Sequence, residues 1–95
     1  MVYLEESLRG IDLSGANLVG ADLRWANLNG VKLNGAKLNG AKLIQAKLNG
    51  AKLNWANLRG AKNLTCEQFK TAKDWQSAYR DEKLGCGADI PIDEE

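Results

Sequence analysis

The sequence predicts an all-β solenoid, a chain wound into a closed tube, and three periodic features carry that prediction. Leucine stands at every fifth position from Leu8 to Leu58, eleven times without a gap. Two residues ahead of each leucine place lies a small or modest apolar residue: Ile11, Ala16, Ala21, Ala26, Val31, Ala36, Ala41, Ala46, Ala51, Ala56 and Ala61. Glycine recurs two residues after many of the leucines, at positions such as Gly15, Gly35 and Gly60. A period of five advances about 500° around an α-helix, a net turn of roughly 140°, and would scatter the leucines over every face. In one continuous strand an odd spacing sends successive leucines to opposite sides. A chain that turns once per five residues removes both conflicts, because glycine accepts the positive φ of a tight turn. The small residue and the leucine of each unit then share the interior of a polygon, and polar positions line its outside.

The elements follow in chain order. Residues 1–10 read as a lead-in, because Glu6 stands where an inward alanine is required. Tyr3, Leu4 and Leu8 are expected to cover the first coil, whose bare edge would invite pairing with another molecule. Residues 11–60 then run IDLSG, ANLVG, ADLRW, ANLNG, VKLNG, AKLNG, AKLIQ, AKLNG, AKLNW and ANLRG. These units resemble the pentapeptide repeat family, whose pattern is alanine, a small polar residue, leucine and two variable residues. The resemblance implies a right-handed quadrilateral β-helix with four units per coil, so that residues 11–62 make about two and a half to three coils. On that geometry Leu13, Leu33 and Leu53 form one column and Leu18, Leu38 and Leu58 a second. Leu23 with Leu43, and Leu8 with Leu28 and Leu48, complete the set. Ile11, Val31 and Ala51 stack at the small-residue position, where the branched pair compensates for volume. Burying each leucine is worth roughly 1.5–3 kcal/mol while ordering each residue costs about 1.5 kcal/mol, so so short a tube depends on its ends.

The register breaks after residue 62, because Asn63 takes the next leucine place and Leu64 arrives one residue late. Thr65-Cys66-Glu67-Gln68 follows as a capping box and predicts a helix. Phe69, Ala72, Trp75 and Tyr79 fall at helical spacing, so residues 63–84 are expected to form a helical C-terminal cap over the last coil. NLTCEQFKTAKDWQSAY resembles the cap of short family members from cyanobacteria, in which proline usually follows the threonine; Cys66 replaces it here. Gly85 and Gly87 then break any helix, and residues 85–95 read as an acidic, disordered tail.

Charge is small in total and uneven in distribution. The net charge of +1 combines two acids against one base over residues 1–10, eight bases against two acids over residues 11–62, and eight acids against four bases over residues 63–95. Asp12, Asn17, Asp22 and Asn27 precede the first leucines of the repeat, and Lys32, Lys37, Lys42 and Lys47 precede the next four. With one unit per side these lysines form a belt around the tube, with Lys32 beside Asp12, Lys42 beside Asp22, and Lys52 beside Lys32. Such a belt cannot bring all its charges to one duplex, which disfavours nucleic acid. Some family members inhibit DNA gyrase by imitating the duplex with a long acidic rod; a short basic tube departs from that pattern.

The inventory for chemistry is sparse. The chain has no histidine, the commonest general base and metal ligand near neutral pH. No nucleophile elbow, phosphate loop or zinc spacing occurs. Catalytic residues, metals and cofactors are therefore not expected. MVYLEESLRG lacks the pattern of a secretory signal and no segment is long and apolar enough to span a membrane, which points to the cytoplasm and favours free thiols at Cys66 and Cys86 over a disulfide across the cap. Trp25 and Trp55 replace glycine at turn positions one and a half coils apart, and so project from opposite sides. They read as anchors for protein contact or as shields over a neighbouring coil, Trp55 above Gly35 for example. The function expected is a non-enzymatic protein-interaction or structural module with an unidentified protein partner. Its candidate surface is Trp25, Lys32, Lys37, Lys42, Lys47, Lys52 and Trp55. The alternative is a cationic module for nucleic acid or another polyanion; self-association through the coil ends remains open.

Overall fold

One unit shows how local chemistry winds the chain. In residues 31–35 the Lys32 N–H donates to the Ile11 carbonyl at 2.9 Å, whereas the Leu33 N–H donates to the Lys52 carbonyl at 2.9 Å and the Gly35 N–H to the Asn54 carbonyl at 2.8 Å. Donors thus alternate between the circuit before and the circuit after, which is how a parallel ladder satisfies its backbone. The Ala36 N–H closes the corner on the Leu33 carbonyl at 3.0 Å, and Gly35 sits at φ 66. A positive φ at the third residue of a four-residue turn is the type II pattern, which glycine fills without steric cost.

The structure is a computed structural model that describes residues 8–84 and residue 86. Parallel pairing joins Asp12, Lys32 and Lys52 on a first side, Asn17, Lys37 and Asn57 on a second, Asp22, Lys42 and Lys62 on a third, and Asn27 and Lys47 on a fourth. Partners lie twenty residues apart, so four units close one circuit of a quadrilateral β-helix. Each side contributes a single pairing residue per circuit, because the corners consume the rest of the unit. Inside, Leu28, Leu33, Leu38, Leu43, Leu48, Leu53 and Leu58 are buried, and the alanines from Ala26 to Ala56 fill the gaps between them. Leu13 and Leu18 are only half-buried. Val31 is enclosed, but Ile11 is 41% exposed at the end of its column, so the two branched residues do not share one enclosed corner.

The ladder does not stop at residue 62. Asn63 adopts φ 60 and turns the chain out of register, while Leu64 stays packed against the core. Thr65 then caps helix α1 (Cys66–Lys70): the Gln68 N–H donates to Thr65 Oγ1 at 3.1 Å and the Thr65 N–H to Gln68 Oε1 at 2.8 Å. The capping box is the one the sequence indicates; the helix is shorter. Phe69 alone among its five residues is buried, and Phe69, Ala72, Trp75 and Tyr79 do not share one helical face. Instead Lys73 pairs with Lys52 and Tyr79 with Asn57, with a 3-10 turn at Trp75–Ser77 between them. The physical reason is the open edge of the preceding circuit. The Lys73 and Tyr79 N–H groups donate to the Ala51 and Ala56 carbonyls, and the carbonyls of Lys73 and Tyr79 accept from Leu53 and Leu58. A continued α-helix would leave those groups buried without partners.

Helix α1 fills the place where the fourth side would return. Gln68 Nε2 donates to the carbonyls of Leu43 at 2.8 Å and Ala46 at 2.9 Å, so a side-chain amide replaces the missing ladder residue. After a second 3-10 turn (Glu82–Leu84) the chain comes back to α1, and Cys66 and Cys86 form a disulfide with Cα atoms 5.4 Å apart. This corrects the expectation of free thiols. The 3-10 turns at Trp75–Ser77 and Glu82–Leu84 carry the chain around the last circuit and back to the first residue of α1. Of the residues expected to cover the first coil, Leu8 is partly buried against the core; Tyr3, Leu4 and the tail at 85–95 apart from Cys86 lie outside the described residues.

Candidate interaction surface

The pairing places Lys32, Lys37, Lys42 and Lys47 on four successive sides, one each. Lys52 returns to the first side below Lys32, and Lys73 extends the same column, which sequence reasoning missed. The first side therefore reads Asp12, Lys32, Lys52, Lys73 along the axis. On the third side Lys62 lies next to Lys42, with Asp22 beyond.

The two acids each face one lysine of these columns and leave the others without an acid across the circuit. Hydrogen bonds from the Ser14 hydroxyl and N–H, the latter at 2.9 Å, hold Asp12 below the ordinary carboxylate range, and Lys32 adds only the smallest share. Asp22 is bound by Arg24, whose Nε and Nη2 each donate at 2.7 Å; that hydrogen bonding holds its carboxyl low, and Lys42 again contributes least. Both carboxylates thus serve their own corners. The lysines across the circuit keep like-charged neighbours.

Trp25 and Trp55 stand at opposite corners, between the third and fourth sides and between the first and second, 53% and 60% exposed. Both occupy the left-handed region, at φ 64 and φ 59. For a bulky L-residue that conformation costs roughly 1–2 kcal/mol, which glycine avoids. The Trp25 N–H donates to the Ile44 carbonyl on the next circuit, and Ile44 is a further exposed apolar residue. Trp55 does not shield Gly35, since a Cβ built there meets nothing within 4 Å. Its ring leans instead on Tyr79 of the following circuit, with centroids 6.3 Å apart, and the Arg59 guanidinium lies 5.1 Å from the Tyr79 ring centre. Tyr79 and Arg59 were missed because the insertion after residue 62 shifts Tyr79 to twenty-two residues from Asn57, where a period of five no longer finds it.

The C-terminal end is built for closure. Arg80 is 3% exposed, donates from Nη1 to the carbonyls of Trp75, Gln76 and Ala78, and lies against the rings of both Phe69 and Trp75. Burial lowers its pKa from the usual guanidinium value. Beside it a cleft of about 250 Å³ is lined by Leu58, Ala61, Leu64, Arg80, Asp81, Lys83 and Leu84. The Asp81 carboxylate there accepts from the Gly60 N–H at 3.0 Å, which ties the segment to the last corner. Among the described residues no three His, Cys, Asp or Glu side chains gather to hold a metal, and no helix is long and apolar enough to cross a membrane.

A filled tube with alternating backbone donors, an aliphatic interior and a decorated exterior is a repeat-solenoid protein. Residues 7–43 and 26–62 match the family model for pentapeptide repeats, in eight copies, and the chain belongs to that family. Among solved structures it is similar to a pentapeptide repeat protein from the thylakoid lumen of Arabidopsis thaliana, with 27% identity and a TM-score of 0.45 over 93% of this chain and 69% of that one. No curated protein matches it.

Proposed function

We propose that this chain is a non-enzymatic protein-interaction or structural module that acts through the outside of a right-handed β-helix of about three coils. The observation that carries the reading is the pair of tryptophans. Each is more than half exposed, and each holds a backbone conformation that glycine adopts at the equivalent corners without strain. Strain at Trp25, and the ring area Trp55 leaves exposed beyond its contact with Tyr79, point to a contact the isolated chain does not make. The test is recovery of a partner from cell extract on the immobilised full chain. Trp25→Ala with Trp55→Ala, or Lys37→Glu with Lys47→Glu, should leave the far-ultraviolet spectrum unchanged and reduce recovery. Unchanged recovery with both sets would end the proposal.

The paired cysteines support an oxidising compartment in place of the cytoplasm expected from the sequence. Thiol titration of protein purified without reductant tests this. Two free thiols per chain in material from the native compartment would reinstate the cytosolic reading.

A further inference from the structure

We infer that the first side, with the corner it shares with the second, is a docking surface for an acidic segment of a partner protein. Carboxylates of that segment sit over Lys32, Lys52 and Lys73, and an apolar side chain packs against Trp55 and Tyr79. The inference rests on the interaction-module reading and gives it a face and a ligand chemistry.

The first support is the lysine column itself. Backbone pairing sets Lys32, Lys52 and Lys73 on successive circuits, about 4.8 Å apart, with no acid between them. Like charges placed directly opposite in a ladder destabilise one another, so an anion laid along the column relieves a repulsion already present. Asp12 ends the column beside Lys32 and leaves Lys52 and Lys73 without an acid across the circuit. The second support is the corner. Trp55 is 60% exposed, backed by Tyr79, and flanked by Lys52 before it and by Lys37 on the adjoining side. A rigid aromatic beside desolvatable charge is the usual make-up of an interface hot spot.

The third support selects the partner. Asp12 bounds the column at one end and Lys73, followed in the chain by the exposed Asp74, is its last residue at the other, leaving a cationic strip about 10 Å long. A nucleic acid carries a charge about every 3.4 Å along each strand of a duplex and cannot omit those that fall over Asp12. A polypeptide can. Alternate residues of an extended segment are about 6.8 Å apart, so two carboxylates fit within the strip and neutral residues pass over its ends. The strip is also built of lysines, while the nearby Arg59 guanidinium, whose fork suits phosphate, is held by Asn57 Oδ1 at 3.1 Å and stacked on Tyr79.

The experiment uses the full chain and a short labelled peptide of glutamates around a central phenylalanine, followed by fluorescence anisotropy at low salt. Lys52→Glu, Lys73→Glu and Trp55→Ala should each weaken binding about tenfold, and Lys52→Gln about threefold. Lys42→Glu makes the same change of net charge on the third side and should change affinity less than about twofold. Equal losses from Lys42→Glu and Lys52→Glu, or no binding at low salt, overturn the docking surface. Tighter binding of labelled oligothymidylate than of the peptide overturns the assignment to an acidic protein. These outcomes concern this face alone: a partner captured from extract and lost with Trp25→Ala keeps the module reading standing, whereas recovery indifferent to both tryptophans removes it.

Discussion

Gln68 holds the capping box with its backbone and side chain and ties the cap to the tube with its side chain. Its Oε1 accepts from the Thr65 N–H, its backbone N–H donates to Thr65 Oγ1, and its Nε2 donates to the Leu43 and Ala46 carbonyls. Gln68→Ala removes the side-chain half of the capping box and both carbonyl contacts. At about 1 kcal/mol for each net hydrogen bond the loss is roughly 2–3 kcal/mol. For a domain of this size that lowers the melting temperature by about 10–20 °C. Gln68→Glu separates the two jobs, because a carboxylate still accepts from Thr65 but places charge against two carbonyl oxygens. Those oxygens raise the carboxyl pKa in the folded state above its unfolded value of about 4.3. The folded form then holds the proton more tightly, so the variant is most stable below that value and loses stability as pH rises through the folded pKa. Thermal melts of Gln68→Ala and Gln68→Glu from mildly acidic to neutral pH read both effects. A Gln68→Ala loss under about 0.5 kcal/mol, or a Gln68→Glu melt that tracks wild type at every pH, would refute the claim that this amide replaces a ladder residue.

Three other changes test separate parts of the account. Trp25→Gly should raise stability by about 1 kcal/mol in chemical denaturation, by relieving the left-handed strain at φ 64. Trp55→Gly should come out near neutral, since the same relief is offset by loss of the Tyr79 contact, worth about 0.5–1.5 kcal/mol; equal effects at the two sites would count against the packing described for Trp55. Cys86→Ser frees a chain segment closed across twenty residues and should cost about 3 kcal/mol, read as a shift of the denaturation midpoint absent when wild type is reduced first.

The repeat region was legible because a single rule, one turn per five residues, applies without exception from Leu8 to Gly60, and hydrophobic burial enforces it at each leucine. The C-terminal region was legible only in its local chemistry. The Thr65 capping box is a contact within four residues, and it appears as read. The return of Lys73 and Tyr79 to the ladder depends on groups left open by Ala51 and Ala56, more than twenty residues earlier, which no local pattern reveals. Helical spacing of Phe69, Ala72, Trp75 and Tyr79 was therefore outweighed by backbone demand from the preceding circuit. The candidate surface divides in the same way: Trp25, Trp55 and the lysine belt follow from the period, but the column reaching Lys73 and the Tyr79 support do not. The disulfide left no register signal, since after residue 62 the ladder partners lie twenty-one and twenty-two residues apart, and the compartment argument alone decided for free thiols.

The two ends of the tube differ, and the difference should set how it opens. At the C-terminal end Phe69, Ala72 and Ala78 are buried against the last circuit, and the disulfide and Gln68 hold them there. At the other end Ile11 is 41% exposed and Leu13 and Leu18 are half-buried, whereas Leu33 and Leu38, one circuit on, are enclosed. In a solenoid each circuit gains stability mainly from its neighbours, so the circuit with less buried apolar area opens first. The donors are otherwise equivalent: Leu13 and Leu18 bond the next circuit at 2.7 Å, Leu33 and Leu38 at 2.9 and 2.8 Å. Hydrogen-bond length therefore does not rank them, and burial must. If each leucine of the first circuit forgoes about half of its burial, the deficit is roughly 1–1.5 kcal/mol per residue. The Leu13 and Leu18 amides should exchange about ten to a hundred times faster than those of Leu33 and Leu38 in native-state hydrogen exchange. Uniform protection across the circuits would show instead that the tube opens as one cooperative unit, with its ends contributing equally.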